Sequence, residues 1–375
     1  MQGQTLQPCW PQDRGIQSGP TDTVSALAWM PQQGQYMLAA SSWDGKCSVW
    51  RIANSQQGCQ AQPLQQQSVP NAPQTPILDA IWAPDGQSLF FAGADGGVYR
   101  WSVQGNQVTK IGQHDAPVKS VRWNAAGNGL ISGGWDGKLR YWDLRSPQPT
   151  YTYQCPERVY AMDSLGNVAV VGCAQRKMLI FDLRNATQPF RQGDSGLNYQ
   201  TRCVTVWPDQ QGYCMGSIEG RVRLEHLDGA AEHQKEIGPD GQERKKNFNY
   251  RCHRVDRGGR TSDVYPIHAI CFAPNFGTFA TAGGDGKIHT WDRVVRYRKA
   301  ECKQACQAPI VAAQFSPDAS VLAYAAGYDW GKGMSGAPNP QSPPQSRTAI
   351  FLHAVNPDEV TPKSAGNTGG NTRRW

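Results

Sequence analysis

Residues whose types could do chemistry fall into two groups in this 375-residue chain. The first is His114-Asp115, a histidine beside a carboxylate, the pairing that orients a general base. No GxSxG elbow, Walker loop or HExxH motif accompanies it. It therefore reads as the His and Asp of a hydrogen-bond network that pins a turn against a sheet, and no catalytic residue is expected. The second group is basic and aromatic. Arg221 follows Glu219-Gly220, Arg251 and Arg254 flank Cys252-His253 after Tyr250, and Trp291-Asp292-Arg293 leads into Arg296 and Arg298. Guanidinium groups capture carboxylate or phosphate oxygens bidentately, and interleaved rings add stacking. This is chemistry for holding an acidic peptide or single-stranded RNA. The 11 cysteines include no CxxC pair, and Cys252-His253 and Cys302/Cys306 lack the second half of a zinc framework. They read as reduced, buried thiols, with no metal and no cofactor.

Such residues need a scaffold, and the scaffold announces itself as a repeat. A short apolar strand is followed by a strand of small residues, an Asp-Gly turn, and a strand ending in an aromatic. The first copy runs from Val24-Ser25-Ala26-Leu27-Ala28-Trp29 through Trp43-Asp44-Gly45 to Trp50. Asp95-Gly96, Asp136-Gly137, Glu219-Gly220 and Asp285-Gly286 mark further copies, a weaker one spans Val159 to Asp182, and a last one has Tyr328-Asp329-Trp330 at the turn. Seven copies, about 40 to 65 residues apart, match the WD-repeat period with loop insertions. Each small sheet must stack on its neighbours to bury both faces, so the fold is an all-β, seven-bladed WD-repeat β-propeller. Residues 1–362 form this single domain, with Arg14 to Ser18 completing the last blade. Trp43 and Trp135, just before Asp-Gly turns, either pack between blades or stand on the rim as partner-peptide contacts.

Three stretches interrupt the pattern: a Gln/Pro-rich loop from Ala53 to Thr75, a charged and mobile insert from Gly229 to Asn247, and a Gly/Pro/Ser loop from Gly331 to Arg347. Residues 363–375 read as a disordered basic tail. Hydrophobic content of 39% with 40 Gly and 13 Trp suits a folded, turn-rich β protein. No apolar run is long enough to span a bilayer, and the Gln-rich N-terminus is no secretory signal, so an intracellular protein without membrane insertion is expected. A net charge of +7 admits an acidic partner without demanding one.

Ser41-Ser42-Trp43-Asp44-Gly45, Gln113-His114-Asp115-Ala116-Pro117-Val118, Ser217-Ile218-Glu219-Gly220-Arg221-Val222, Arg251-Cys252-His253-Arg254 and Tyr328-Asp329-Trp330-Gly331-Lys332-Gly333 together resemble one WD-repeat branch. It holds the nuclear-pore-associated mRNA export factors and the mitotic checkpoint propellers that carry checkpoint kinases to kinetochores. The resemblance implies that the propeller grips a Glu-bearing segment of an FG nucleoporin, with Arg221 pairing its glutamates. It implies a groove of Tyr250, Arg251, Trp291, Asp292, Arg293 and Arg296 on the side of the ring for acidic peptides or single-stranded RNA. Tyr250 stands where the export factors have Phe, and Arg251 and Arg293 where they have Lys. A monomeric propeller in a heterocomplex at the nuclear pore and envelope, shuttling to the cytoplasm, is the implied setting. A checkpoint scaffold that binds checkpoint kinases and reads a phosphorylated kinetochore peptide is the alternative.

Overall fold

The structure is a computed structural model that describes residues 5–362, apart from 33, 56–57, 147, 229–233, 239–240, 260, 340 and 342–346. Seven four-stranded antiparallel sheets form the blades. Their innermost strands are Val24–Trp29, Ile77–Trp82, Val118–Asn124, Val159–Leu165, Thr201–Val206, Ile267–Phe272 and Ile310–Phe315, for blades one to seven in order. Each packs against the next and the seventh against the first, closing the ring. The core lies between blades, where side chains of adjacent sheets interdigitate; Val24, Leu27 and Trp50 of blade one, for instance, pack on Val321, Ala323 and Ile350 of blade seven.

Closure uses the N-terminal segment. Arg14 and Gly15 pair with Leu352 and Phe351 of the strand Thr348–Ala354, and the Ile16 N–H donates to the Ile350 carbonyl at 2.8 Å. Regular pairing thus covers only the start of the expected Arg14–Ser18. A buried latch reinforces it. Asp13 accepts from the Tyr324 hydroxyl at 2.7 Å and lies 2.8 Å from Nδ1 of His353, whose Nε2 is 2.9 Å from Glu359. Trp10 stacks on the His353 ring at 3.8 Å. Glu359 sits in the short helix Pro357–Val360, whose first turn is closed by an Asn356 capping box. The tail from 363 onward lies outside the described residues.

Turn chemistry explains the repeat. Gly45, Gly96, Gly137, Gly220 and Gly286 all have positive φ between the second and third strands of their blades. At Gly45 a Cβ would come within 2.4 Å of the Pro73 carbonyl oxygen, so the turn excludes any side chain. Blade four makes the same turn with Gln175 (φ 54°) and Arg176 (φ 63°), which is why its signature is faint in the sequence.

Blades three and six share a four-residue ladder. Trp142 Nε1 donates to Ser132 Oγ at 2.7 Å, Ser132 meets His114 Nε2 at 2.7 Å, and His114 Nδ1 lies 3.0 Å from Asp136. In blade six Trp291, Thr281, His253 and Asp285 repeat the chain at 2.9, 2.9 and 2.7 Å. The expected His114-Asp115 network is corrected in one member. Its carboxylate is Asp136, brought alongside by the Asp-Gly turn, while Asp115 turns outward to Lys138 at 2.6 Å.

Two loop expectations change as well. The Gln/Pro-rich stretch is largely strand: Lys46–Ser55 pairs with Gly58–Ser68 in a long outer hairpin. An edge strand tolerates polar side chains and even proline, and Pro63 falls where the register shifts opposite Trp50. Inside Gly229–Asn247, expected to be mobile, the described residues include a small hairpin of Lys235–Ile237 with Glu243–Lys245.

Candidate partner-binding face

Every innermost strand starts beside the turn that joins the second and third strands, so those turns and the entries to the innermost strands share one face. On it, Trp43, Trp135 and Ile218 occupy the same blade position. Their N–H groups donate to Thr23, Pro117 and Gln200 carbonyls at 3.0, 2.9 and 3.1 Å. All three are exposed, at 39%, 37% and 39%, as are Tyr199 and Trp330 on the same face. The two tryptophans therefore stand on the surface and do not fill gaps between blades. Ile218, Tyr199 and Trp330 were missed by sequence reasoning. Aligning Ile218-Glu219-Gly220 on Trp43-Asp44-Gly45 would have revealed the first.

Arg221 opens the third strand of blade five, Arg221–His226, on this face, and the strand Phe248–Arg251 pairs with it so that Arg251 lies opposite. Arg221 Nε is 3.1 Å from Oε2 of the buried Glu219, but its buried N–H is not aligned for a hydrogen bond. Arg254 reaches the Glu219 carbonyl oxygen at 2.7 Å, leaving its own Nε–H unpartnered. Glu219 also accepts from the Asn198 N–H at 3.3 Å. Arg221 thus takes the one carboxylate, while Arg254 bonds only the backbone of Glu219 and feels both Arg221 and Arg251. Burial, then repulsion from Arg221 and Arg251, pulls the Arg254 pKa below the ordinary arginine value. The cluster is short of negative charge and holds donors in reserve, which suits an incoming acidic group.

The remaining expected groove does not assemble as one surface. Tyr250 (5% exposed), Trp291 (2%) and Asp292 (2%) are interior. The Tyr250 hydroxyl donates to the Asp292 carbonyl at 3.0 Å, its ring lies 5.0 Å from that of Trp291, and Asp292 caps the N–H groups of Val294 and Val295. These residues hold blades five and six together, and stacking on a base would require opening the core. Arg293, Arg296 and Arg298 lie toward the opposite face, a strand length (roughly 15 Å) from Arg251. There they are engaged. Arg293 lies over the Trp207 ring and bonds Asp209 at 2.7 Å. Arg296 lies over Phe248, 3.6 Å from its centroid, and bonds Glu236 at 2.7 Å, clamping the small hairpin. Arg298 is 2.9 Å from Glu301. The sequence could not show this because residues adjacent along the chain at a strand end belong to opposite faces once a strand intervenes.

His253, Asp285 and His289 lie close enough to suggest a metal triad. However, both His253 nitrogens serve the ladder, and the two imidazoles stack at 4.6 Å with planes 14° apart. Parallel rings direct their in-plane lone pairs side by side, not at a common ion. No helix among the described residues is long and apolar enough to cross a membrane.

Seven closed blades with two Trp–Ser/Thr–His–Asp ladders and an apolar, arginine-bearing face define a WD-repeat propeller of the partner-binding kind. The WD domain, G-beta repeat family matches residues 12–51, 105–143 and 251–292, the latter two spanning the two ladders. The chain is 37% identical over 356 residues to Protein RAE1 of Arabidopsis thaliana, covering 94% of each. It is 34% identical over 365 residues to the mRNA export factor of Xenopus tropicalis, covering 94% of this chain and 91% of that protein. It is 33% identical over 355 residues to the mRNA export factor GLE2 of Chaetomium thermophilum, covering 94% and 92%. The chain belongs to the Rae1 family of WD-repeat mRNA export factors.

Proposed function

We propose that this protein is a non-enzymatic adaptor of nuclear mRNA export whose arginine-bearing face docks a Glu-bearing segment of an FG nucleoporin. The observation that carries this reading is the Arg221–Arg251–Arg254 cluster, with unaligned guanidinium donors beside one buried glutamate. Trp43, Trp135 and Ile218 add apolar anchors on the same face, the combination of aromatic and arginine found at binding hot spots. Relatives named mRNA export factor support the export role and, with it, action at the nuclear pore and shuttling to the cytoplasm. They favour this reading over a checkpoint scaffold.

Single-stranded RNA as a second ligand draws less support from the geometry, because Tyr250 and Trp291 are buried and Arg293, Arg296 and Arg298 are already paired with acids. Calorimetric titration of the folded protein with a Glu-bearing nucleoporin segment tests the proposal. Binding that is lost in Arg221→Glu supports it, and equal affinity in both proteins removes the face from the reading.

A further inference from the structure

Each innermost strand carries a β-bulge at its second residue, seven times round the ring. A bulge re-aims its side chain, and here it aims at the mouth of the central channel. The electrostatics bear this out: Lys119 of blade three acts on Arg202 and Cys203 of blade five, two blades away, as only channel-facing positions allow. Four consecutive blades place Lys119, Tyr160, Arg202 and His268 at this position, while the other three place Ser25, Leu78 and Val311 there.

The arc is rich in donors and poor in acceptors. Lys119 makes no hydrogen bond or ion pair, and the Tyr160 hydroxyl has no partner, among the described residues. Arg202 is exposed, and among the described residues its one hydrogen bond runs from Nη2 to the His268 Nδ1 at 3.3 Å. The nearby carboxylates are occupied. Asp79 accepts from Arg122 at 2.5 Å and from the Val121 N–H at 3.0 Å, Asp163 from Arg122 at 3.2 Å and from the Val206 N–H at 2.8 Å. Asp329 is taken by His268 Nε2 at 2.9 Å and by the Gly331 N–H at 3.0 Å. Two cations thus lie within electrostatic reach of each other from blades three and five, and their nearest counter-charges, Asp79 and Asp329, already accept hydrogen bonds from other donors. Burial lowers the Lys119 pKa, and repulsion from Arg202 and Arg122 adds to it against the attraction of Asp79.

We propose that the mouth of the central channel is an oxyanion site, in which Lys119, Tyr160 and Arg202 hold one compact phosphate or carboxylate group. The site lies on the docking face but is separate from the Arg221 cluster, and it stands whether or not a peptide docks there. Its occupant is either a free anion or an acidic side chain carried in by a partner segment.

The test is calorimetric or ³¹P NMR titration of the full chain with inorganic phosphate in low-chloride buffer. Saturable millimolar or tighter binding is expected. It should weaken at least tenfold in Lys119→Met/Arg202→Met and to a smaller degree in Tyr160→Phe. Arg145→Met, which removes an exposed positive charge on the opposite face, should leave it unchanged. Melting temperatures confirm that the variants fold. Displacement of phosphate by a Glu-bearing peptide assigns the oxyanion to the partner, whereas simultaneous binding assigns it to a free anion; both uphold the site. Absence of phosphate binding at low ionic strength, or equal binding by the double variant and wild type, overturns it.

Discussion

Arg221 and Arg251 stand directly opposite each other on paired strands of blade five, two like charges in register, with Glu219 3.1 Å from the first. Like charges facing across a ladder destabilise a sheet by about 0.2–1 kcal/mol. Their presence on an exposed face is better explained by binding than by stability.

From this relationship, Arg251→Gln should raise the unfolding free energy by a few tenths of a kcal/mol while weakening partner binding. Denaturant melts and titrations on the same protein check both halves. A variant that loses stability and keeps full affinity contradicts the functional reading of the pair.

The ladders make a stability expectation. Ser132→Ala leaves the buried His114 Nε2 and Trp142 N–H without their shared hydroxyl, which should cost about 1–3 kcal/mol. Thr281→Val in blade six should behave alike, since Trp291 and His253 share Thr281 in the same way. Urea unfolding of both variants reads this, and a change below 0.5 kcal/mol (about the scatter of surface substitutions) would show the ladders to be idle.

The closure latch is pH-sensitive. Burial works to lower the His353 pKa, but hydrogen bonds to Asp13 and Glu359 outweigh it and lift the group to about 9. The folded-state value lies above the unfolded one, so the stabilisation is complete below about pH 6.5 and disappears as pH rises through 9. A loss of roughly 3 kcal/mol across that window is expected in wild type. His353→Gln should be less stable at pH 6 and flatter with pH. Parallel pH profiles for the two proteins would refute the latch.

Much of this architecture is legible in the sequence for a local reason. Asp44-Gly45 or Asp285-Gly286 must be a tight turn, because only a residue free at positive φ fits there, and five such turns within seven repeats imply a ring. Blade four hides because Gln175 and Arg176 adopt the same backbone without glycine. The outer hairpin of blade one hides because an edge strand needs no apolar alternation. The site was legible only in part. Arg221, Arg251, Arg254, Trp43 and Trp135 do share a face, but Tyr250 and Trp291, whose residue types suit stacking, are spent on the core between blades five and six. Chain proximity cannot distinguish the two ends of a strand, so Arg293 and Arg296 were grouped with residues a blade height away.

That core role gives a further expectation. Trp291→Ala should cost about 3–5 kcal/mol of stability, as removal of a buried aromatic does. Any binding defect in that variant should follow its melting temperature. A fully stable Trp291→Ala protein with a specific loss of ligand would restore Trp291 to a binding surface.

The central claim is that Arg221 captures a carboxylate of the docked segment. Isothermal titration with the Glu-bearing nucleoporin segment should show Arg221→Gln and Arg221→Glu weakening binding by about 2–5 kcal/mol, with the larger loss in Arg221→Glu and melting temperatures near wild type. Affinities within twofold of wild type in both variants, with the fold intact, would contradict the account.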